Sequence, residues 1–400
     1  DGSQSSQDEL RGDLPTKINI YSFKTDFAKP LKNNGSFETG YKISYSKTDN
    51  QADYRDVVAG TEIPNYDTSN HFKYDEMINA AYLNYNTSYK RFTFQTGLRL
   101  EHTYSKGNQL GNVMKPASTF KRDYTNLFPT VYVQYQLDSI GNHLFSVNYG
   151  RRINRPYFQD LNPFVSPLDK FTFYAGNPYL NPSFANNYEL SYRYKGIFST
   201  TLSYGEASDE INETIEIKDE IYYSRPGNIG KSEFYSWNAN LNVSPVKWWT
   251  TTVYNEVTYT KFQSQLYTEK LNSSGTFWFL MVNNSFKFAK DWSAELNGNY
   301  QTDIISSQFV LLSRSNLSMG IQKKILQGKG SLKLTGNDLL YSNLNNGIIK
   351  NIQNTDANWR NRADTRFVAL TFTYGFGKAL QTKQSYEANG ADSEKNRVKN

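Results

Sequence analysis

Apolar and polar residues alternate one by one along most of this chain. Tyr188, Leu190, Tyr192 and Tyr194 are spaced by Glu189, Ser191 and Arg193, and after a turn at Lys195-Gly196 the alternation resumes at Phe198, Thr200, Leu202 and Tyr204. A period of two is the mark of a strand with one apolar and one polar face. Strand, tight turn, strand and long polar loop then repeat from end to end. The pattern picks out fifteen strands, at 17–28, 37–45, 78–89, 92–100, 131–137, 145–149, 188–194, 198–204, 235–243, 249–253, 277–288, 294–300, 317–321, 332–334 and 368–376. Two further short apolar stretches, 309–312 and 348–353, are the places where that count could shift by one.

Short turns and long loops alternate strictly, so all short turns fall at one end of an up-and-down sheet and all long loops at the other. Long loops are expected at 47–74, 105–123, 156–184, 206–231 and 337–365. Aromatic residues flank the short turns: Tyr89 and Phe92, Tyr194 and Phe198, Trp248 and Trp249, Phe288 and Trp292. Aromatics are good strand formers wherever they occur. Their placement beside the turns points further, to a girdle at a membrane interface. The clearest strand, Val368, Leu370, Phe372, Tyr374 and Phe376, puts Leu370, Phe372 and Phe376 on the lipid side.

Composition sharpens that picture. The chain has 31 Tyr, 25 Phe and 6 Trp, with only 38% hydrophobic residues and a mean hydropathy of −0.70. A soluble core leans on Leu, Ile and Val; a barrel with lipid outside and water inside hides its membrane character, because every second residue is polar. No run of about twenty apolar residues occurs, which excludes helical membrane spans. The expected fold is therefore all-β, a transmembrane antiparallel up-and-down β-barrel contributing 14–16 strands. Closed single-chain barrels carry even strand numbers, and the first strand enters from the long-loop end. The reading is thus of a wall continued by earlier strands upstream of Asp1. Residues 1–16 read as a polar segment or loop, 17–377 as the barrel, and 378–400 as a polar tail expected to be disordered.

Charge and reactive residues narrow the function classes. Forty-four basic against 38 acidic residues, scattered through loops, do not make a nucleic-acid footprint. Cysteine is absent, which suits passage through an oxidising periplasm. The three histidines, His71, His102 and His143, are far apart and suggest no metal cage, and Asp49, Asp53, Asp56, Asp67 and Asp75 lack calcium-loop spacing. No nucleophile elbow or phosphate-binding loop occurs, so neither an enzyme nor a cofactor is expected.

The central stretch YGRRINRPYFQDLNPF, followed by GNPYLNP and NNYELSY, resembles the outer-membrane β-barrel region of Bacteroidetes-type TonB-dependent receptors. LRGDLPTKINIYSFKTDF, GLRLEHTYSKGNQ, YTNLFPTVYVQYQLD, the closing FTYGFGK and the basic EKNRVK are similar to the same family, in the same order. The resemblance implies a parent barrel of about 22 strands with a plugged lumen, importing a scarce nutrient with energy from the TonB complex. It implies partners too: outer-membrane lipid and lipopolysaccharide, a plug domain, and a solute of siderophore, glycan, peptide or cobalamin class. The plug, the TonB-contacting segment and the first several strands are not in this sequence.

Arg151, Arg152 and Arg155 could form a lumenal or rim cluster for an anionic ligand or a lipopolysaccharide phosphate. The reading preferred is structural, with these arginines pairing with Asp160, Glu189 or other acids across the wall. The Pro- and Asn-rich loop carrying Asp160, Asn162 and Asn177 could contact ligand or only fix a rigid path. The expected function is the barrel of an outer-membrane nutrient receptor. The alternatives are a non-transporting outer-membrane adhesin or glycan-binding barrel and, further off, a soluble β-sandwich lectin.

Overall fold

A computed structural model describes residues 9–399 apart from 33, 170, 219, 267–268, 353–356 and 378–388. Its wall is built from β1 (Thr16–Pro30), β2 (Ser36–Val58), β3 (Asn70–Tyr89), β4 (Phe92–Gln109), β5 (Ser118–Gln136), β6 (His143–Asn154), β7 (Ser183–Tyr194) and β8 (Phe198–Lys218). It continues with β9 (Ile221–Val246), β10 (Trp249–Leu266), β11 (Glu269–Phe288), β12 (Trp292–Gln301), β13 (Arg314–Ile325), β14 (Gly330–Asn337) and β15 (Phe367–Tyr374). Each strand pairs antiparallel with the next in sequence, and two short strands add to this meander, Glu9–Asp13 antiparallel on β2 and Thr172–Ala175 parallel on β9. All fifteen expected segments fall on these strands, although 131–137 runs one residue and 368–376 two residues past the strand end. Among the described residues β1 and β15 each have a wall neighbour on one side only, so the sheet is curved and open.

The two ambiguous stretches do not join the wall. Phe309–Leu311 and Asn345–Ile349 pair with each other and with Ile304–Ser306 and Ala357–Asn361 in a separate four-stranded sheet at the long-loop end. Several expected loops are mostly strand instead. β2 runs 23 residues and β9 runs 26, so the stretches 47–74 and 206–231 are ladder almost to their tips. Alternation fades there, while backbone pairing continues regardless.

The side-chain distribution is inverted relative to a soluble sheet. On β2 the covered positions are Ser44, Ser46, Thr48 and Asn50, each 2% exposed, whereas Tyr41 and Tyr45 are 41% and 38% exposed on the other face. The outward row continues through Leu83, Leu98, Val147, Leu190, Leu202, Trp237, Leu334 and Leu370, all exposed apolar side chains. Large apolar groups are left uncovered on that scale where a lipid or partner surface covers them.

The apolar core lies inside the barrel. Phe158, Leu161, Phe164 and Leu180 of the central loop pack on Ala52 and Tyr54 of β2 and Phe72 and Tyr74 of β3. The long loop thus folds inward, where a row of apolar side chains within an otherwise polar sequence finds cover. Gly176 makes its closest turn possible. A Cβ there would collide with the carbonyl oxygen of Asn162, a contact no side chain can make. Gly176→Ala is expected to unseat this loop while leaving the wall intact. Limited proteolysis of 155–182 in the folded barrel should report it, and unchanged protection would contradict the packing.

The tail departs from expectation in part. Residues 378–388 lie outside the described residues, but 389–399 are placed, with a helical turn at Asp392–Lys395 and buried Glu394 and Arg397. Ion pairs that composition does not display hold the segment inside the barrel, and charged side chains buried only when paired explain how a polar sequence can be so ordered.

At the long-loop end Asp338 organises the loop between β14 and β15. Its carboxylate accepts the Ser342 amide at 3.0 Å, the Asn343 amide at 3.3 Å and the Thr365 hydroxyl. Enclosure alone raises this carboxyl; the Thr365, Ser342 and Asn343 hydrogen bonds and the Arg366 charge outweigh it and hold it below the usual aspartate range. A group lowered in the folded state stabilises fully above its unfolded value, about 3.9, and loses that contribution as pH falls through the folded one. Wild type and Asp338→Asn should therefore differ in thermal midpoint at neutral pH and converge as the pH drops below about 4. A difference that persists at pH 2 would contradict this assignment.

Candidate functional site

The lumenal cluster is built where β4 and β6 climb past the bilayer. Strand parity turns Arg99, Glu101 and Thr103 of β4 to the inside, opposite the outward Leu98 and Leu100. Arg155, just beyond β6, donates from Nη2 to Glu101 Oε2 at 2.6 Å and to Thr103 Oγ1 at 3.0 Å. Arg99 approaches the other Glu101 oxygen at 2.5 Å. Glu101 is thus shared between two guanidinium groups, and it, rather than Asp160 or Glu189, is the acid that answers Arg155. Glu189 instead accepts from Asn148 at 3.2 Å.

The other two arginines are placed differently. Arg151 lies over the rings of Phe184 and Phe128 at 5.2 and 5.9 Å and donates to the Leu127 carbonyl at 3.2 Å. Arg152 is exposed and lines a cavity of about 660 Å³ together with Lys24, Arg99, Arg151, Arg155 and Glu101. Five cationic residues therefore line one cavity. Guanidinium groups arranged this way can take up carboxylate or phosphate oxygens in paired hydrogen bonds.

Asp160, Asn162 and Asn177 hold the loop itself. Asp160 accepts the Tyr174 hydroxyl at 3.0 Å, pairs with Lys399, and receives the Asn177 amide on its carbonyl at 2.6 Å. Asn162 caps the Phe164 amide at 3.4 Å, and Asn177 caps Tyr179 at 2.9 Å while donating to the Pro226 carbonyl at 3.3 Å. Arg122, which sequence reasoning missed, donates to the carbonyls of Leu180 and Pro178. Its polar position on β5 gave no signal apart from facing the GNPYLNP turn.

The girdle residues gather at the short-turn end. Tyr89 faces Phe92, Tyr194 faces Phe198 and Phe288 faces Trp292 across their hairpins, while Trp248 and Trp249 sit at the β9–β10 turn against Phe286. Lysines lie over three of them: Lys90 on Tyr89 at 5.3 Å, Lys195 on Tyr194 at 5.2 Å and Lys323 on Trp292 at 5.1 Å. Leu370 and Phe372 point outward on β15, and Phe376 lies just beyond it, 88% exposed. The histidines stay apart. His71 contacts Asp49 at 2.6 Å, His102 contacts Thr125 at 3.0 Å and His143 contacts the Tyr192 hydroxyl at 2.7 Å.

An antiparallel meander with apolar rows outside, polar rows inside and aromatic rings at one rim matches a known family over residues 1–374, the outer membrane protein beta-barrel family. The chain belongs to that family. As an outer-membrane barrel, its exposed rows are the lipid-facing surface. Its fold is similar to solved barrels at low sequence identity. The ferric yersiniabactin uptake receptor FyuA from Yersinia pestis aligns with TM-score 0.64 and 13% identity over 92% of this chain and 56% of that one. The ferric-catecholate import receptor Fiu from E. coli K12 aligns with TM-score 0.61 and 11% identity, over 91% and 55%. The siderophore receptor PiuA from Acinetobacter baumannii gives 0.58 and 12%, over 91% and 56%. The chain thus spans a little over half the length of these structures. No curated protein matches it.

Proposed function

We propose that this outer-membrane barrel is the larger part of the wall of a TonB-dependent receptor that takes up a nutrient of siderophore, glycan, peptide or cobalamin class. The observation that carries the reading is a polar lumen wide enough to admit a folded loop beside a cavity bordered by five cations. A pathway for a hydrated solute needs such an interior; a wall that only displays a binding surface does not. Likeness in fold to barrels named as uptake and import receptors supports the same reading.

In this proposal Arg151, Arg152 and Arg155 border the solute path, and Asp160, Asn162 and Asn177 keep the inward loop in register. Tyr89, Phe92, Tyr194, Phe198, Trp248, Trp249 and Trp292 seat the inner rim among lipid headgroups, and lipopolysaccharide surrounds the outer one. A plug domain, a TonB-contacting segment and enough strands for a wall of about 22 complete the receptor. The test is gene deletion in the native host, with growth scored on ferric citrate, cobalamin, an oligosaccharide mixture and peptides as limiting sources. Loss of growth on one of them, reproduced when TonB is inactivated, is the expected result. A deletion that alters surface attachment, with every source still used normally, would instead favour the adhesin reading.

A further inference from the structure

Residues 389–399 are bound inside the barrel by a set of matched charges. Lys42 on β2 holds Glu394, with Nζ at 2.9 and 3.1 Å from the two carboxylate oxygens and at 2.6 Å from the Ser393 hydroxyl. Arg397 lies on the Glu76 carboxylate of β3, donates from Nε to the Pro156 carbonyl at 2.9 Å and covers the Phe158 ring at 4.3 Å. Lys399 pairs with Asp160, and its main chain exchanges two hydrogen bonds of 3.1 Å with the Gln159 amide group. Negative, positive and positive side chains of the segment thus meet positive, negative and negative partners. Two of those partners are on the wall and one is on the inward loop.

Glu394 has a second neighbourhood. Together with Ser393 it borders the cationic cavity of Lys24, Arg99, Arg151, Arg152 and Arg155. Its carboxylate therefore sits where an incoming anion would meet the wall. Both Lys42 and Glu394 are buried, at 8% and 3% exposure. Withdrawing one member of such a pair without replacement strands a desolvated charge. Replacing it with another carboxylate leaves the lysine paired, so the exchange is nearly balanced.

We propose that residues 389–399 are a tethered internal ligand of the lumenal cationic cavity, in which the Glu394 carboxylate holds the place of a carboxylate on an anionic solute. Binding of such a solute releases the segment, and with it the grip of Arg397 and Lys399 on the inward loop. A neutral solute cannot do this, because it leaves Lys42 uncompensated. The proposal rests on the lumen being a solute path, but its test reads the segment directly and does not depend on uptake.

The chain contains no cysteine, so a single spin label can be placed at the exposed Asn396 through Asn396→Cys in the full-length protein reconstituted in lipid. The label should be immobile without ligand. Citrate should raise its mobile fraction several-fold, whereas maltose, or sodium chloride at matched ionic strength, should not. Glu394→Gln and, separately, Lys42→Gln should each raise the mobile fraction without any ligand, with correct barrel folding checked by heat-modifiable gel mobility. A label that is mobile from the start, that ignores citrate, or that responds equally to maltose would overturn the proposal. Loss of the uptake reading with citrate release intact would leave it standing.

Discussion

Leu202→Arg is expected to destabilise the barrel by about 2–4 kcal/mol in a bilayer. Leu202 faces Leu190 on one side and Trp237 on the other, all three on the exposed outward row. A guanidinium there must sit in hydrocarbon or drag water and headgroups toward it. Ser203→Arg, one residue along, places the same group on the inner, wet face and should cost far less. The pair Leu370→Arg or Phe372→Arg against Thr371→Arg repeats the comparison on β15, where Thr371 faces Lys333 inside. Urea titration of refolding into lipid vesicles measures the difference. Equal costs on the two faces would mean that the inside and outside have been assigned the wrong way round.

Glu101→Gln is expected to cost about 3–5 kcal/mol, because it leaves Arg155 buried without its counter-ion. The amide keeps the shape and a weak acceptor but removes the charge shared by Arg99 and Arg155. Exposed pairs give a control. Arg11 and Glu62 meet at 2.7 Å near the rim, with both side chains more than a third exposed, and Glu62→Gln there should leave stability nearly unchanged. A small effect at Glu101, equal to that at Glu62, would show that water reaches the lumenal pair.

The wall was legible because the bilayer imposes a rule on every second residue. Val147, Leu190, Leu202 and Trp237 could be aligned as one outward row from alternation alone, and the strand count followed from their turns. Beyond the membrane the rule lapses. The upper halves of β2 and β9 carry mixed polar residues on both faces, so their sequence reads as loop although their backbone is fully paired. The lumenal site was half visible. The run Arg151, Arg152 and Arg155 stands out, but its partner Glu101 lies 54 residues before Arg155, a separation that only the register of the sheet closes. Lys42, Glu76 and Arg397 were invisible for the same reason. A lone charge at an inward position looks like any polar lining residue until the segment that answers it is placed.

The length of β9 carries one more consequence. A tilted strand crosses a membrane in about 9–11 residues, and β9 has 26. The remainder extends beyond the membrane as paired ribbon, a stiff shaft in place of a coil. An insertion or deletion within the shaft would shift the ladder register along its flanks. A change of length is therefore expected to cost least at the hairpin apices, such as the left-handed pair Ala59 and Gly60.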